Sequence, residues 1–102
     1  MNEIFFIPSG KNNEIRQNDL DNGYLRITAD NKKYFPYEDC DDIIIIVDDI
    51  EHNCQFRLRN QDGNNRSYTI NLGQELISKL DIKTSDILEC KKIGDKTYTL
   101  SK

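Results

Sequence analysis

Residues 54–80, CQFRLRNQDGNNRSYTINLGQELISKL, change their hydrophobic period along the way. Cys54, Phe56 and Leu58 alternate with Gln55, Arg57 and Arg59, the period of a strand with one face on a core. Residues 60–65 are polar and carry the Asp62-Gly63 turn signal, after which Arg66 to Ile70 reads as a returning strand. From there the period lengthens. Leu72, Leu76, Ile77 and Leu80 form an apolar stripe at helical spacing, and Asn71 with Gln74 offers a capping-box-like start. The stretch therefore predicts strand, polar turn, strand, helix.

Outward from it, further short strand signals recur. Ile4 to Ile7 reads as a first strand, closed by Pro8. Tyr24 to Ile27 is a second, entered through the tight-turn signal Asp21-Asn22-Gly23. Ile43 to Val47 is an unbroken β-branched run, the pattern of a strand buried on both faces, and Asp41-Asp42 and Asp48-Asp49 around it act as gatekeepers against aggregation. Two last strands, Ile87 to Lys91 and Thr97 to Leu100, flank a turn at Gly94-Asp95, and a helical turn fits Asp30 to Tyr34. Strands at this spacing, with one clear helix, predict a mainly β sandwich or barrel. At 102 residues the chain makes one domain, 1–102, with no repeat or linker.

Composition narrows the classes. Cys40, Cys54 and Cys90 are odd in number and form no CxxC, and the lone His52 completes no zinc set. They read as reduced, mostly buried thiols of a cytoplasmic protein. Glu3 and Pro8 bracket an apolar run too short for a secretion signal, and no stretch reaches membrane-spanning length. The net charge is −4, yet residues 38–51 hold seven acids (Glu38, Asp39, Asp41, Asp42, Asp48, Asp49 and Glu51) and no base, so the remainder carries +3. Within residues 55–68, Arg57, Arg59 and Arg66 face only Asp62, a local balance of +2. The chain is polarised, and the distribution matters more than the sum.

Catalytic patterns are weak. Glu89-Cys90-Lys91 has the Glu-x-Lys form of metal-dependent nucleases, but with 6 Glu and 9 Lys in the chain such a triplet arises close to chance. Glu89 and Lys91 equally fit the exposed face of a strand. His52 follows an acidic turn with no nucleophile pattern near it and reads as a surface turn residue. No glycine-rich phosphate loop is present. The expectation is a binding domain with no catalytic residue, metal or cofactor.

Two polar segments carry more information: residues 9–23, SGKNNEIRQNDLDNG, and residues 57–68, RLRNQDGNNRSY. Asn, Asp and Gly make good turns in any β protein. Arg, Asn and Gln are also the side chains that pair bidentately with guanine and adenine edges in the major groove, and Lys and Arg hold phosphates. A turn has no need of Arg59 and Arg66 on either side of it.

The order of these segments resembles the DNA-binding pseudobarrel of plant B-three transcription factors and of the effector, or specificity, domains of bacterial restriction endonucleases. The matching stretches are NDLDNGYLRI (18–27), KKYFP (32–36), FRLRNQDGNNRSYTINLGQELISKL (56–80) and SDILEC (85–90). The Asn-Gly before a strand and the Phe-Pro soon after it look most like the endonuclease branch. The resemblance implies a mainly β fold, a seven-stranded open pseudobarrel with two short helices, gripping the major groove of double-stranded DNA with an N-arm and a C-arm. It would place Lys11, Asn12, Asn13, Arg16, Gln17 and Asn18 at the DNA from the N-arm. From the C-arm it would place Arg57, Arg59, Asn60, Gln61, Asn64, Asn65 and Arg66 there. It also implies a monomer, with a nuclease domain or subunit as further partner and no membrane. One departure is Ser85-Asp86, where the family has Gly-Asp, because serine tolerates positive φ less well than glycine.

Two other classes compete. Residues 69–89, TINLGQELISKLDIKTSDILE, also look like the strand–helix–strand unit of swapped-hairpin transcription regulators and antitoxins. Those are obligate dimers of about half this length per unit, which leaves the first half of the chain unexplained. A protein-binding module would instead use the acidic face of residues 38–51.

Overall fold

The computed structural model describes residues 3–9, 14–36, 38–61 and 65–102, and of residues 29, 58–61 and 65–67 the backbone alone. Seven strands are present: β1 Glu3–Ile7, β2 Tyr24–Ile27, β3 Cys40–Val47, β4 Ile50–Gln61, β5 Asn65–Asn71, β6 Leu88–Gly94 and β7 Thr97–Ser101. They form one nearly closed, barrel-like sheet in the order β1-β6-β7-β3-β4-β5-β2. All pairings are antiparallel except that of β3 with β7, which is parallel. Two short helices, α1 Gln17–Asp21 and α2 Gly73–Leu80, complete the mainly β architecture, with a 3-10 helix at Ala29–Tyr34. The expected fold class is the one observed.

β2 coincides with its expected residues, and the helical turn near Asp30 to Tyr34 is the 3-10 helix. Several local expectations need correction. Ile43 to Val47 is not buried on both faces: Ile43, Ile45 and Val47 enter the core, whereas Ile44 and Ile46 are half-buried on the outer face. Asp48 and Asp49 are more than gatekeepers. With φ of 51° and 66° they form the two-residue turn that pairs Val47 with Ile50, the primed geometry whose twist suits a hairpin. His52 is no turn residue. It lies half-buried within β4, opposite Ile45. β6 begins at Leu88, leaves Ile87 exposed outside it, and runs through Gly94, so the turn to β7 is Asp95-Lys96. At Ser85 the backbone keeps negative φ, and the turn is held by Asp86 instead, whose carboxylate accepts from the Lys83 N–H at 2.7 Å and pairs with Lys102 at 3.0 Å.

The core is organised by aromatic rings. Phe35, delivered by the end of the 3-10 helix, stacks on Phe56 (5.4 Å between centroids) and on Tyr98 (4.7 Å), and meets Phe5 edge-on at 5.6 Å. Phe5 stacks on Tyr34, and Phe56 meets Tyr68 edge-on. The Tyr98 hydroxyl donates to the Tyr34 carbonyl at 2.6 Å, so the polar tip of this fully buried ring is satisfied. Cys40, Cys54 and Cys90 are free and buried, as expected. Burial pushes the Cys54 thiol up to about 11 and that of Cys90 up to about 12.

The two helices meet at a pair of glycines. Asn71 ends β5 and caps nothing; α2 starts after Leu72 without a side-chain cap, and Gln74 instead donates to the Leu20 and Asp21 carbonyls at 2.9 and 2.8 Å. Gln74 thereby satisfies the open C-terminal carbonyls of α1. Gly23 (φ +77°) follows the end of α1, as a left-handed residue commonly does, and its carbonyl accepts from the Gly73 N–H at 3.0 Å. A Cβ on Gly23 would sit 3.0 Å from Gly73 Cα, whereas a Cβ on Gly73 (φ +80°) meets nothing within 4 Å. Both alanine variants therefore carry about 1–2 kcal/mol of left-handed strain, and Gly23→Ala adds a backbone clash. Denaturant titration is expected to show the larger loss for Gly23→Ala; equal losses would contradict the close approach.

Candidate nucleic-acid interface

Both polar segments are rooted on neighbouring strands. β5 pairs with β2 on one side and with β4 on the other. The β4–β5 hairpin keeps its register outward from Arg57↔Thr69 through Arg59↔Ser67 and Asn60↔Arg66 to Gln61↔Asn65. This puts Arg59, Asn60, Gln61, Asn65 and Arg66 on a continuously paired two-stranded arm, of which the backbone alone is described; Asn64 lies outside the described residues. A paired ribbon is a rigid mount and has the width that a major groove admits.

The N-terminal segment leaves the barrel at Ser9, whose hydroxyl shares a 2.7 Å hydrogen bond with Thr28 and lies 3.4 Å from Asp30 Oδ2. Thr28 directly follows β2, at the end where Ile27 pairs with Tyr68, so the Ser9 root and the base of the hairpin share one end of the β2–β5 pair. Lys11, Asn12 and Asn13 lie outside the described residues. Buried Ile15 marks the return of the segment, and Arg16, Gln17 and Asn18 are exposed at the start of α1. Helix α1, not among the expected elements, occupies part of the polar segment 9–23. It is held by Gln17 donating to Asp21 Oδ1 (2.9 Å), by Asn22 donating to the Asn18 carbonyl (2.8 Å), and by Asp19, which is buried and paired with Arg26 at 3.3 Å. Because α1 packs at the Gly23–Gly73 end, Arg16, Gln17 and Asn18 sit toward the opposite end of the β2–β5 pair from the hairpin.

Arg57, at the base of the C-arm, is held on several sides. Its guanidinium pairs with Asp41 at 2.5 Å and donates to the carbonyls of Phe56 and Cys40 at 3.1 and 3.4 Å. The bond to Asp41 pushes the Arg57 pKa above its ordinary value. Arg57 and Arg26 both pair in register with Thr69, so a row Arg26–Thr69–Arg57 crosses β2, β5 and β4 beneath the arm. Each arginine is matched to one aspartate. This geometry fixes the base of the hairpin to β3 and to α1.

Two cations outside the expected set lie over aromatic rings. Lys32 stands 4.6 Å above the Tyr68 ring and Lys33 5.3 Å from that of Tyr34. The KKYFP stretch contained them, but nothing in its spacing distinguished them from other surface lysines.

The acids fall into two groups, at the two ends of β3. Glu38, Asp39, Asp41, Asp42, Asp48, Asp49 and Glu51 are all exposed. Asp41 is matched by Arg57 and Asp42 by Lys96 (3.4 Å), and a hydrogen bond from Cys40 helps to hold Asp42 below its ordinary pKa. Asp48, Asp49 and Glu51 stand at the opposite end of β4 from the hairpin arm, roughly 35 Å away for a strand of 12 residues. Several Debye lengths separate these three from the arm, whereas Asp39 and Asp41 lie beside Arg57 at its base. Glu89 and Lys91 lie on the outer face of β6 with buried Cys90 between them, and no metal-holding group of His, Cys, Asp or Glu occurs among the described residues. None of the helices among them is long and apolar enough to cross a membrane. No protein-family model matches this chain, and no curated protein is significantly similar to it.

Proposed function

We propose that this chain reads double-stranded DNA through the major groove, as the target-recognition module of a restriction endonuclease. The observation that carries the reading is the common root of the two polar segments. A paired β4–β5 arm rich in Arg, Asn and Gln and the segment leaving at Ser9 start from one end of the β2–β5 pair, as two jaws of a clamp would. In this reading Arg59, Asn60, Gln61, Asn64, Asn65 and Arg66 face bases, and Lys11 faces phosphates. Arg57, matched to Asp41, braces the arm. The acidic hairpin is oriented away from the duplex, which aligns the molecule as it approaches.

The alternatives fit less well. The strand–helix–strand unit of a swapped hairpin needs a second chain to complete its sheet, whereas β5 and β6 are flanked by β2, β4, β1 and β7 of the same chain. The acidic-face reading loses Asp41 and Asp42, which already have basic partners.

Binding to duplex DNA is expected to weaken steeply with salt, because cations on the arms displace counterions from phosphates. Titration at low and at moderate salt tests this, and equal affinity at both, or none at low salt, would refute it. The chain itself is expected to leave DNA uncut with magnesium present. Nicking that vanishes in Glu89→Ala would overturn this.

A further inference from the structure

One edge of the sheet carries an apolar outer face. β1 is an edge strand, and its outward residues Ile4 and Phe6 are 54% and 50% exposed. Beside them Ile87 and Ile93, at the two ends of β6, are 61% and 42% exposed. Monomeric proteins scatter such residues; four large ones on two paired strands form a patch. Between them Glu89 pairs across with Phe6, and Lys91 with Ile4. Neither Glu89 nor Lys91 has an ion-pair partner among the described residues.

The order of these residues is self-complementary. From Ile87, the residue before β6, the exposed and half-exposed positions at every second residue read Ile87, Glu89, Lys91, Ile93: apolar, negative, positive, apolar. A two-fold axis lying in the face and crossing the strands at Cys90 reverses that order. It sets Glu89 over the second copy's Lys91, Ile87 over its Ile93 and Phe6 over its Ile4. On β7, Ser101 and Thr99, which pair with Glu89 and Lys91, exchange in the same way. An isologous interface requires this property, that residue i meets j while j meets i. An unrelated partner would require nothing of the kind.

We infer that the β1–β6 face is a docking surface for a second copy of this chain, giving a symmetric dimer stapled by two Glu89–Lys91 pairs. The interface rests on no DNA contact. It also differs from the monomer that the family resemblance implies.

Sedimentation equilibrium of the full chain, free of DNA, tests it. The wild type is expected to shift from one chain mass to two as concentration rises. Glu89→Lys and Lys91→Glu each set like charges face to face and are expected to raise the dissociation constant by about tenfold or more. The double variant Glu89→Lys/Lys91→Glu restores opposite charges and is expected to return to within about threefold of the wild type. Glu89 is exposed and Lys91 half-buried on the outer face, and unchanged circular dichroism will show that the variants stay folded. A wild type that remains one chain mass at every concentration would overturn the inference. So would single reversals without effect, or a double variant no better than the singles.

Discussion

Phe35→Ala is expected to destabilise the domain by about 3–5 kcal/mol, the range for deleting a buried aromatic ring. Phe35 is the hub of the core, touching Phe5 of β1, Phe56 of β4 and Tyr98 of β7. Few strand residues could replace it, because the ring arrives from the 3-10 helix and plugs the barrel between strands that do not pair with one another. Domains of this size hold about 5–15 kcal/mol in total, so the loss would approach unfolding. Phe35→Leu retains most of the volume and should lose less than half as much. Urea titration of the two variants measures both, and a Phe35→Ala loss below about 1 kcal/mol would contradict the hub role. A second readout follows from position. The 3-10 helix that presents Phe35 also holds the Ser9 root through Thr28 and Asp30 and stands over Tyr68 through Lys32. Loss of the ring should therefore loosen both arms together, and DNA affinity should fall at temperatures where the barrel still melts cooperatively.

The other large effect belongs to the arm. Arg59→Ala and Arg66→Ala are each expected to reduce discrimination between the cognate site and random DNA by about 1–3 kcal/mol, since a bidentate Arg–base pair distinguishes sequences. Lys11→Ala, a phosphate contact in this account, should weaken both kinds of DNA alike. Arg57→Ala is the informative contrast. Its guanidinium serves Asp41 and two carbonyls, so its loss should cost stability and leave the affinity ratio nearly unchanged. Cognate-to-random ratios for the four variants at one salt concentration separate these roles. A wild-type ratio in both Arg59→Ala and Arg66→Ala would remove these arginines as the readers.

Much of this fold was readable where hydrophobic period and turn chemistry agreed. Tyr24 to Ile27 was legible because Asn22-Gly23 marks its start and its alternation is short and clean. The helix after β5 was legible from Leu72, Leu76 and Ile77. Helix α1 was not, because QNDLD has one apolar residue and so no period to detect. Its stability is tertiary, from Gln74 at its carbonyls and Arg26 on Asp19. The run of isoleucines hid the alternation of β3, since β-branched residues occupy its half-buried outer face as well as the core. Asp48-Asp49 contains no glycine, so a turn with two positive φ angles left no sign in the residue types. The parallel β3–β7 pairing joins residues more than fifty positions apart and cannot be seen locally. For the candidate site, the residue types located both arms. They could not reveal that Arg57 is matched to Asp41, 16 positions away, or that Lys32 stands over the root of the hairpin.

The central claim is that the two arms read a base sequence in duplex DNA. The most direct measurement is selection by the wild-type chain from a pool of randomised duplexes at low salt, followed by sequencing of the bound fraction. The account predicts a short enriched motif that is bound more tightly than the starting pool, with the enrichment lost when Arg59 and Arg66 are both alanine. Binding without any enriched sequence, or no retention of duplex DNA at all, would contradict it.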